Sequence, residues 1–454
     1  MTNPKRSSIH GQWSGRWAFI LAATGSAVGL GNVWKFPYLA GEYGGGAFVL
    51  VYLLCVAVIG LPIMMAEILL GRRGRQSPIN TMRALAQDEG RSPLWQLLGW
   101  SGMVAGFLIL SYYSVIGGWT LAYIVRTVDG TFTGADVDKA GRVFSDLISD
   151  PERLLAWHTI FMVMTMVVVS RGVRGGLEKA NKFLMPALFL LLLLLLGYAM
   201  NTGYFDDGIR FMFKPDFSKI SGEGVMAAMG QAFFSLSLGM GAIMMYGSYL
   251  PQSASITRSS ITIAMADTLV AVLAGLAIFP IMFANGLQSG QGPGLVFKTL
   301  PIAFGRMPGG DFFGMLFFVL LTFAAWTSAI SIIEPAVAWL VENRGLKRFN
   351  ATLISGGAIW LLGLGTIFSF NIWSHATLFG KTFFDMIDFL TSNIMLPLGG
   401  VFISFFAVWV MSREASREEL ALAEGPGYAV WRFLLRYIAP LAVIIVFLHA
   451  IGLS

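Results

Sequence analysis

Two short stretches carry residue types that the middle of a lipid bilayer disfavours. The first, TGSAVGLGNVWKFP (24–37), sets glycines at 25, 29 and 31 in an apolar run and follows them with Asn32, Lys35 and Pro37. The second, GQAFFSLSLGMGAIMMYGSY (230–249), has glycines at 239 and 241 beside Ser235 and Ser237. Glycine costs a helix interior about 1 kcal/mol per site relative to alanine. Close helix packing explains one Gly-x-Gly well, but it explains two at matching positions less well. A helix that unwinds mid-membrane frees carbonyls that can hold a cation. It also frees amides at a half-helix N-terminus that can hold an anionic group. Asp267 lies inside a third apolar run, where a carboxylate costs about 2.5–3.5 kcal/mol even on lenient scales, so functional use is the default reading. Thr327 and Ser328 are adjacent hydroxyls in a fourth run. Back-bonding to their own helix is the ordinary explanation for such a pair. The chemistry these residues suit is binding of a hard cation next to a small polar ligand.

The elements that must position them are membrane helices. Of 454 residues, 56% are hydrophobic and only 12% charged, against about 25% charged in a soluble domain. This excludes a disordered chain and an ordinary soluble enzyme, and leaves a polytopic all-α membrane protein. Apolar segments long enough to span occur at 16–38, 46–70, 97–125, 156–171, 183–201, 225–249, 260–285, 312–341, 351–370, 383–411 and 428–452. That gives about 11 transmembrane helices, the fourth of them short. The first is read as a retained span, not a discarded leader.

Basic residues set the expected orientation. With the N-terminus cytoplasmic, the inside segments hold Lys5 and Arg6, Arg72 to Arg91, Arg171 to Lys182, Arg258, Arg344 to Arg348, and Arg413 to Arg436. The opposite segments are poorer in Lys and Arg and richer in Asp. An odd number of helices then puts the C-terminus, at Ser454, outside. The net charge of +6 follows from this bias and needs no nucleic-acid partner. The segment 286–311 carries LVFKTLPIAF, read as a short re-entrant or capping helix. Cys55 is the single cysteine, which excludes an intrachain disulfide and a cysteine metal cluster. The four histidines lie near predicted helix ends, so no catalytic or metal-binding constellation forms. A channel would need a continuous polar stripe, whereas the polar residues cluster at the breaks. The two glycine-broken spans stand first and sixth, five apart, and therefore run in opposite directions. Such a pair points to an inverted-repeat transporter.

GSAVGLGNVWKFPY, GGGAF (44–48), FFSLSLGMG (233–241), DTLVAVLAG (267–275) and AAWTSAISIIEP (324–335) together resemble the neurotransmitter:sodium symporter family, of the LeuT fold. The resemblance covers about residues 10–450. It implies an inverted 5+5 repeat, with residues 1–201 as the first repeat, 202–412 as the second and 413–454 as a peripheral eleventh helix. It implies a bacterial inner-membrane carrier that moves a neutral, hydrophobic or aromatic amino acid with sodium by alternating access. A proton-coupled carrier on the same fold is the alternative, and would lack the Thr327–Ser328 hydroxyl pair. No organic cofactor is expected.

By the same resemblance, one sodium ion would take the Ala27 carbonyl, Asn32, Ser235 and Asp267, completed by the substrate carboxylate. A second would take the carbonyls of Gly25, Val28 and Ala324 with Thr327 and Ser328. Chloride-dependent relatives carry Asn at the position of Asp267 and Ser at that of Ala271, which implies a fixed charge in place of chloride and transport independent of it. Gly29 stands where monoamine carriers have Asp, leaving room for a substrate carboxylate at the amides of Leu30 and Gly31 and the hydroxyl of Tyr113. The amine would meet carbonyls near Ala27, Phe234 and Ser237, and Ser235 is expected to contact the substrate as well as the ion. The side-chain pocket would be Ser26, Ile109, Tyr113, Ile116, Phe234, Met240, Ser328 and Ile332. Tyr113, Phe234 and a Lys35–Asp388 ion pair would form the outer gate. Trp13, Ser248, Tyr249 and Glu342 would form the inner one. His10 replaces the family's inner arginine, with Arg6 as the expected substitute. Glu67 and Glu334 are expected to brace the broken helices by hydrogen bonds.

Overall fold

The computed structural model describes residues 6–287, 294–422 and 425–450, with the Ala450 side chain excluded. Lys5, the end of the last expected span and Ser454 lie outside the described residues.

Among the described residues nine continuous helices are long and apolar enough to cross a membrane. They are Gly46–Gly74, Pro93–Val128, Pro151–Ser170, Val173–Met200, Ile256–Ala284, Gly310–Arg344, Arg348–Ser369, Phe383–Val410 and Pro426–His449. A bent pair, Arg16–Ala27 and Gly31–Glu42, makes a tenth span with a 52° kink. Gly222–Ser235 and Ala242–Ser248 are two half-length helices separated by six non-helical residues, and they lie where the sequence places the sixth of its expected spans. In chain order the divided spans are the first and the sixth, as the sequence predicts.

Local chemistry sets the boundaries. The fourth span begins at Pro151, five residues earlier than its apolar run, because Asp150 caps it: its carboxylate accepts from the amides of Glu152 and Arg153, both at 3.1 Å. The polar first turn hides this early start from a hydropathy count. Ser221, Ser255 and Thr382 cap the sixth, seventh and tenth spans by accepting from the amide three residues on. The segment read as re-entrant contains a widened turn, Leu295–Thr299, continuing into Leu300–Arg306, both largely buried. The Phe297 carbonyl accepts from Tyr123 Oη at 2.8 Å. This segment plugs the bundle beside the third span.

The third and eighth spans form the scaffold behind the breaks. Thr120 and Thr322 share a hydrogen bond of 2.8 Å across them, and the Trp100 and Trp339 rings meet edge-on at 4.9 Å. One expectation about histidine fails. His158 sits within the fourth span, fully buried, and reaches the Trp360 carbonyl of the ninth span at 3.2 Å. It is a packed helix–helix contact, not a helix-end residue.

Candidate functional site

The two breaks meet each other in the middle of the bundle. In the first span the helix ends at Ala27, and Val28 adopts an extended conformation (φ −67°, ψ 108°). The freed amide of Gly29 donates to Asn32 Oδ1 at 3.0 Å, and that of Leu30 to Tyr113 Oη at 3.3 Å. In the sixth span Ser237, Gly239 and Gly241 all have positive φ (54°, 83° and 77°). Gly239 is required twice over. Its backbone is left-handed, and a Cβ there would lie 2.5 Å from the Leu396 carbonyl oxygen. Ser237 Oγ then donates to the Ser26 carbonyl at 2.7 Å, joining one break to the other. The Gly239 amide donates to Glu67 Oε1 at 2.6 Å, so Glu67 braces the sixth-span break as expected.

Around this junction lie two clusters of buried oxygens. In the first, Asn32 Nδ2 donates to Asp267 Oδ1 at 2.8 Å and approaches Ser235 Oγ at 3.0 Å, while Ser235 Oγ donates to Asp267 Oδ2 at 2.6 Å. All three residues are at most 1% exposed. The first, sixth and seventh spans thus converge on one carboxylate. In this geometry the Asn32 amide nitrogen faces Asp267. Presenting its oxygen to a cation needs a half-turn of the amide. Tyr52, which sequence reasoning missed, stands 3.4 Å from Ser235 Oγ. Nothing in its apolar surroundings flags it.

The second cluster joins the first and eighth spans. Ser328 Oγ lies 3.2 Å from the Ser26 carbonyl oxygen, 3.3 Å from that of Val28 and 3.5 Å from that of Gly25. Thr327 Oγ1 donates to the carbonyls of Phe323 and Ala324, at 3.0 and 3.1 Å. Back-bonding therefore describes Thr327 well. Ser328 instead reaches across to the unwound carbonyls.

Between the clusters is a small cavity of about 20 Å³, room for a water-sized group. Its eleven wall residues all belong to the predicted substrate set: Ala27, Gly29, Gly31, Ile109, Tyr113, Phe234, Ser235, Ser237, Met240, Ser328 and Ile332. Three of that set lie elsewhere. Leu30 and Ile116 line a larger cavity of about 240 Å³ on the far side of Tyr113 and Phe234. Ser26 turns its hydroxyl away to Ser331 Oγ at 2.7 Å, so only its carbonyl faces the junction. A Cβ at position 29 would lie 2.7 Å from Ser328 Oγ and 2.9 Å from Tyr113 Oη. Gly29 is therefore needed for space.

Lys35 and Asp388 both line the 240 Å³ cavity, but they form no ion pair within 4.0 Å. Lys35 Nζ sits 4.7 Å from the centre of the Phe234 ring, and Asp388 Oδ1 accepts from Ser392 Oγ at 3.0 Å. Gln231, also missed from the sequence, holds the Gly31 carbonyl through Nε2 at 2.8 Å. A glutamine inside a predicted span was the available signal. At the opposite end the expected inner-gate residues are held by hydrogen bonds. The Trp13 amide and ring nitrogen donate to the carbonyls of Tyr249 and Tyr246, each at 3.0 Å. Ser248 is held through its carbonyl by Arg75 at 3.1 Å. Tyr249 Oη donates to Glu334 at 2.6 Å, and Arg348 pairs with that same carboxylate.

Glu342 is the hub of this end. It accepts from the Ser77 amide at 2.8 Å and Asn80 Nδ2 at 2.8 Å, and it faces His10 Nε2 at 3.0 Å. The expectation that Arg6 would replace the family's arginine is wrong. Arg6 pairs with Asp88 at 2.8 Å, and His10 itself fills the position.

Paired half-helices that free their backbone around buried oxygens are the arrangement expected of an inverted-repeat transporter. The chain matches the Sodium:neurotransmitter symporter family over residues 10–141 and 142–453. It is 41% identical to the sodium-dependent transporter YhdH of Bacillus subtilis, over 97% of this chain and 98% of that protein. It is 34% identical to a sodium-dependent transporter of Haemophilus influenzae, over 96% and 97% respectively. Its structure superposes on that of MhsT in complex with L-phenylalanine with a TM-score of 0.89 and 41% identity, covering 97% of this chain and 99% of that one. The chain belongs to the sodium:neurotransmitter symporter family and has the LeuT fold. It is a sodium-dependent, multi-pass membrane transporter, and its relatives are transporters, not enzymes. Sodium dependence favours this reading over the proton-coupled alternative.

Proposed function

We propose that the chain imports a neutral, hydrophobic or aromatic L-amino acid across the inner membrane, coupled to two sodium ions and independent of chloride. The observation that carries the substrate class is the wall of the junction cavity. It combines apolar Ile109, Met240, Ile332 and the Phe234 ring with freed polar backbone and the Tyr113 hydroxyl, and holds no charged side chain. A zwitterionic head fits the polar side and an uncharged side chain the rest. L-phenylalanine bound in the MhsT structure supports the same class. The present cavity is small, so an aromatic substrate requires Tyr113, Phe234 and Met240 to draw back. The flexible Met240 suits that adjustment.

The first sodium ion is assigned to Ala27, Asn32, Ser235 and Asp267 with the substrate carboxylate, and the second to Gly25, Val28, Ala324, Thr327 and Ser328. Hard cations favour such oxygen sets. Asp267 supplies the fixed negative charge. Residues 1–201 and 202–412 act as inverted repeats, with 413–454 peripheral. The N-terminus is cytoplasmic and the C-terminus external. The mechanism is alternating access. The sealed Trp13–Glu342 end and the unpaired Lys35–Asp388 end correspond to an arrangement closed to the cytoplasm. Competition against labelled L-phenylalanine by a panel of amino acids tests this reading. Neutral apolar members compete, and competition by lysine and glutamate instead would refute it.

A further inference from the structure

We infer that Asn181, in the fifth span, is an additional oxygen ligand of the sodium ion held between the first and eighth spans. The inference rests on the proposed second site at Gly25, Val28, Ala324, Thr327 and Ser328. It adds a third helix to that site.

Asn181 is 1% exposed. Its Nδ2 donates to the Leu177 carbonyl one turn earlier at 2.9 Å, which fixes the amide plane and determines which way its oxygen points. That oxygen, Oδ1, is buried and accepts no hydrogen bond. Unsatisfied buried acceptors are uncommon and costly. The oxygen is directed at Gly25. A Cβ built on Gly25 would lie 2.2 Å from Asn181 Oδ1 and 3.2 Å from Thr327 Cβ. Oδ1 therefore faces the place where Gly25 and Thr327, two members of the proposed site, come together. Glycine at 25 is what admits it, since any side chain there would occupy the same space. A carbonyl oxygen needs a donor or a cation. The other atoms that meet the space at Gly25 are Met185 Sδ and Thr327 Cβ, neither of them a donor, and Thr327 Oγ1 already donates to Phe323 and Ala324. A sodium ion satisfies what no neighbouring donor does, and hard cations take neutral amide oxygens readily. The fifth span thereby becomes sensitive to whether the ion is present.

The test is equilibrium binding of ²²Na⁺ to the purified full-length protein, with uptake as a secondary readout and melting temperature as a folding control. Asn181→Ala is expected to weaken sodium binding about three- to tenfold, the worth of one modest polar contact. Asn181→Asp keeps the oxygen and adds charge, so it is expected to bind sodium at least as tightly as the natural chain. A purely structural asparagine would give equal losses in both variants, following the melting temperature, and that result overturns the inference. Should Asn181→Ala fail to fold, Asn181→Asp alone decides: weakened sodium binding refutes the ligand role. Thr327→Ala and Ser328→Ala separate the two levels. If they weaken sodium binding while Asn181→Ala does not, the inference fails and the second site stands. If none of the three changes it, the proposed site itself has failed and the inference falls with it.

Discussion

Replacing Asp267 by Asn removes one unit of charge from the centre of the bundle with little change in shape. The carboxylate is fully buried and is held by Asn32 Nδ2 at 2.8 Å and Ser235 Oγ at 2.6 Å. In the proposed site these same groups surround a sodium ion. At about 4 Å and an effective dielectric of about 20, a full charge pair is worth about 4 kcal/mol. The asparagine carbonyl recovers part of that as a neutral ligand. A net loss of about 1.5–3 kcal/mol, the range for contacts to charged groups, corresponds to roughly 10- to 140-fold weaker sodium binding. Sodium titration of L-phenylalanine binding to purified Asp267→Asn protein measures it. Adding Ala271→Ser rebuilds the uncharged arrangement that the resemblance associates with chloride, and the double variant is expected to regain sodium affinity only when chloride is present. An Asp267→Asn protein with unchanged sodium affinity would refute the reasoning, because a buried charge beside a bound cation cannot be energetically silent.

Other outcomes follow from the same geometry. Replacing chloride by gluconate is expected to leave uptake by the natural chain unchanged, and a collapse of uptake contradicts the fixed-charge reading. Tyr113→Phe removes the oxygen that the Leu30 amide meets at 3.3 Å. Binding of L-phenylalanine, read by calorimetry, should weaken about three- to tenfold. Gly29→Asp puts a Cβ 2.7 Å from Ser328 Oγ and a second carboxylate beside that of the substrate, so amino-acid binding should fall by at least about a hundredfold. Glu342→Ala strands His10, Ser77 and Asn80. In a Cys55→Ser background, Ser248→Cys should then react with an impermeant thiol reagent at least about tenfold faster from the cytoplasmic side, as the sealed state loses population.

Some of this architecture is legible in the sequence because its signals are local. Glycines at 29 and 31 and at 239 and 241 mark both breaks, since close packing accounts for one such pair but less well for two at matching positions. Asp267 stands out because its burial is expensive wherever it points. Long-range partnerships leave no such mark. Arg6 and His10 are both basic residues near the N-terminus, and their order in the chain does not say which meets Glu342; in the fold His10 does, while Arg6 meets Asp88. Ser26 reads as a pocket residue from its position in the motif, yet its rotamer carries the hydroxyl to Ser331. Lys35 and Asp388 are both gate residues by motif, yet Lys35 lies over the Phe234 ring and Asp388 accepts from Ser392. The early start of the fourth span escaped detection because capping residues are polar and hydropathy counts reject them.

The central claim is that an inward sodium gradient drives uphill movement of a neutral amino acid through this junction. Reconstituted full-length protein in sealed liposomes, given labelled L-phenylalanine and an inward gradient of sodium or of choline, tests it most directly. The account predicts transient accumulation above the external concentration with sodium and simple background with choline. Equal accumulation in the two cases would contradict it.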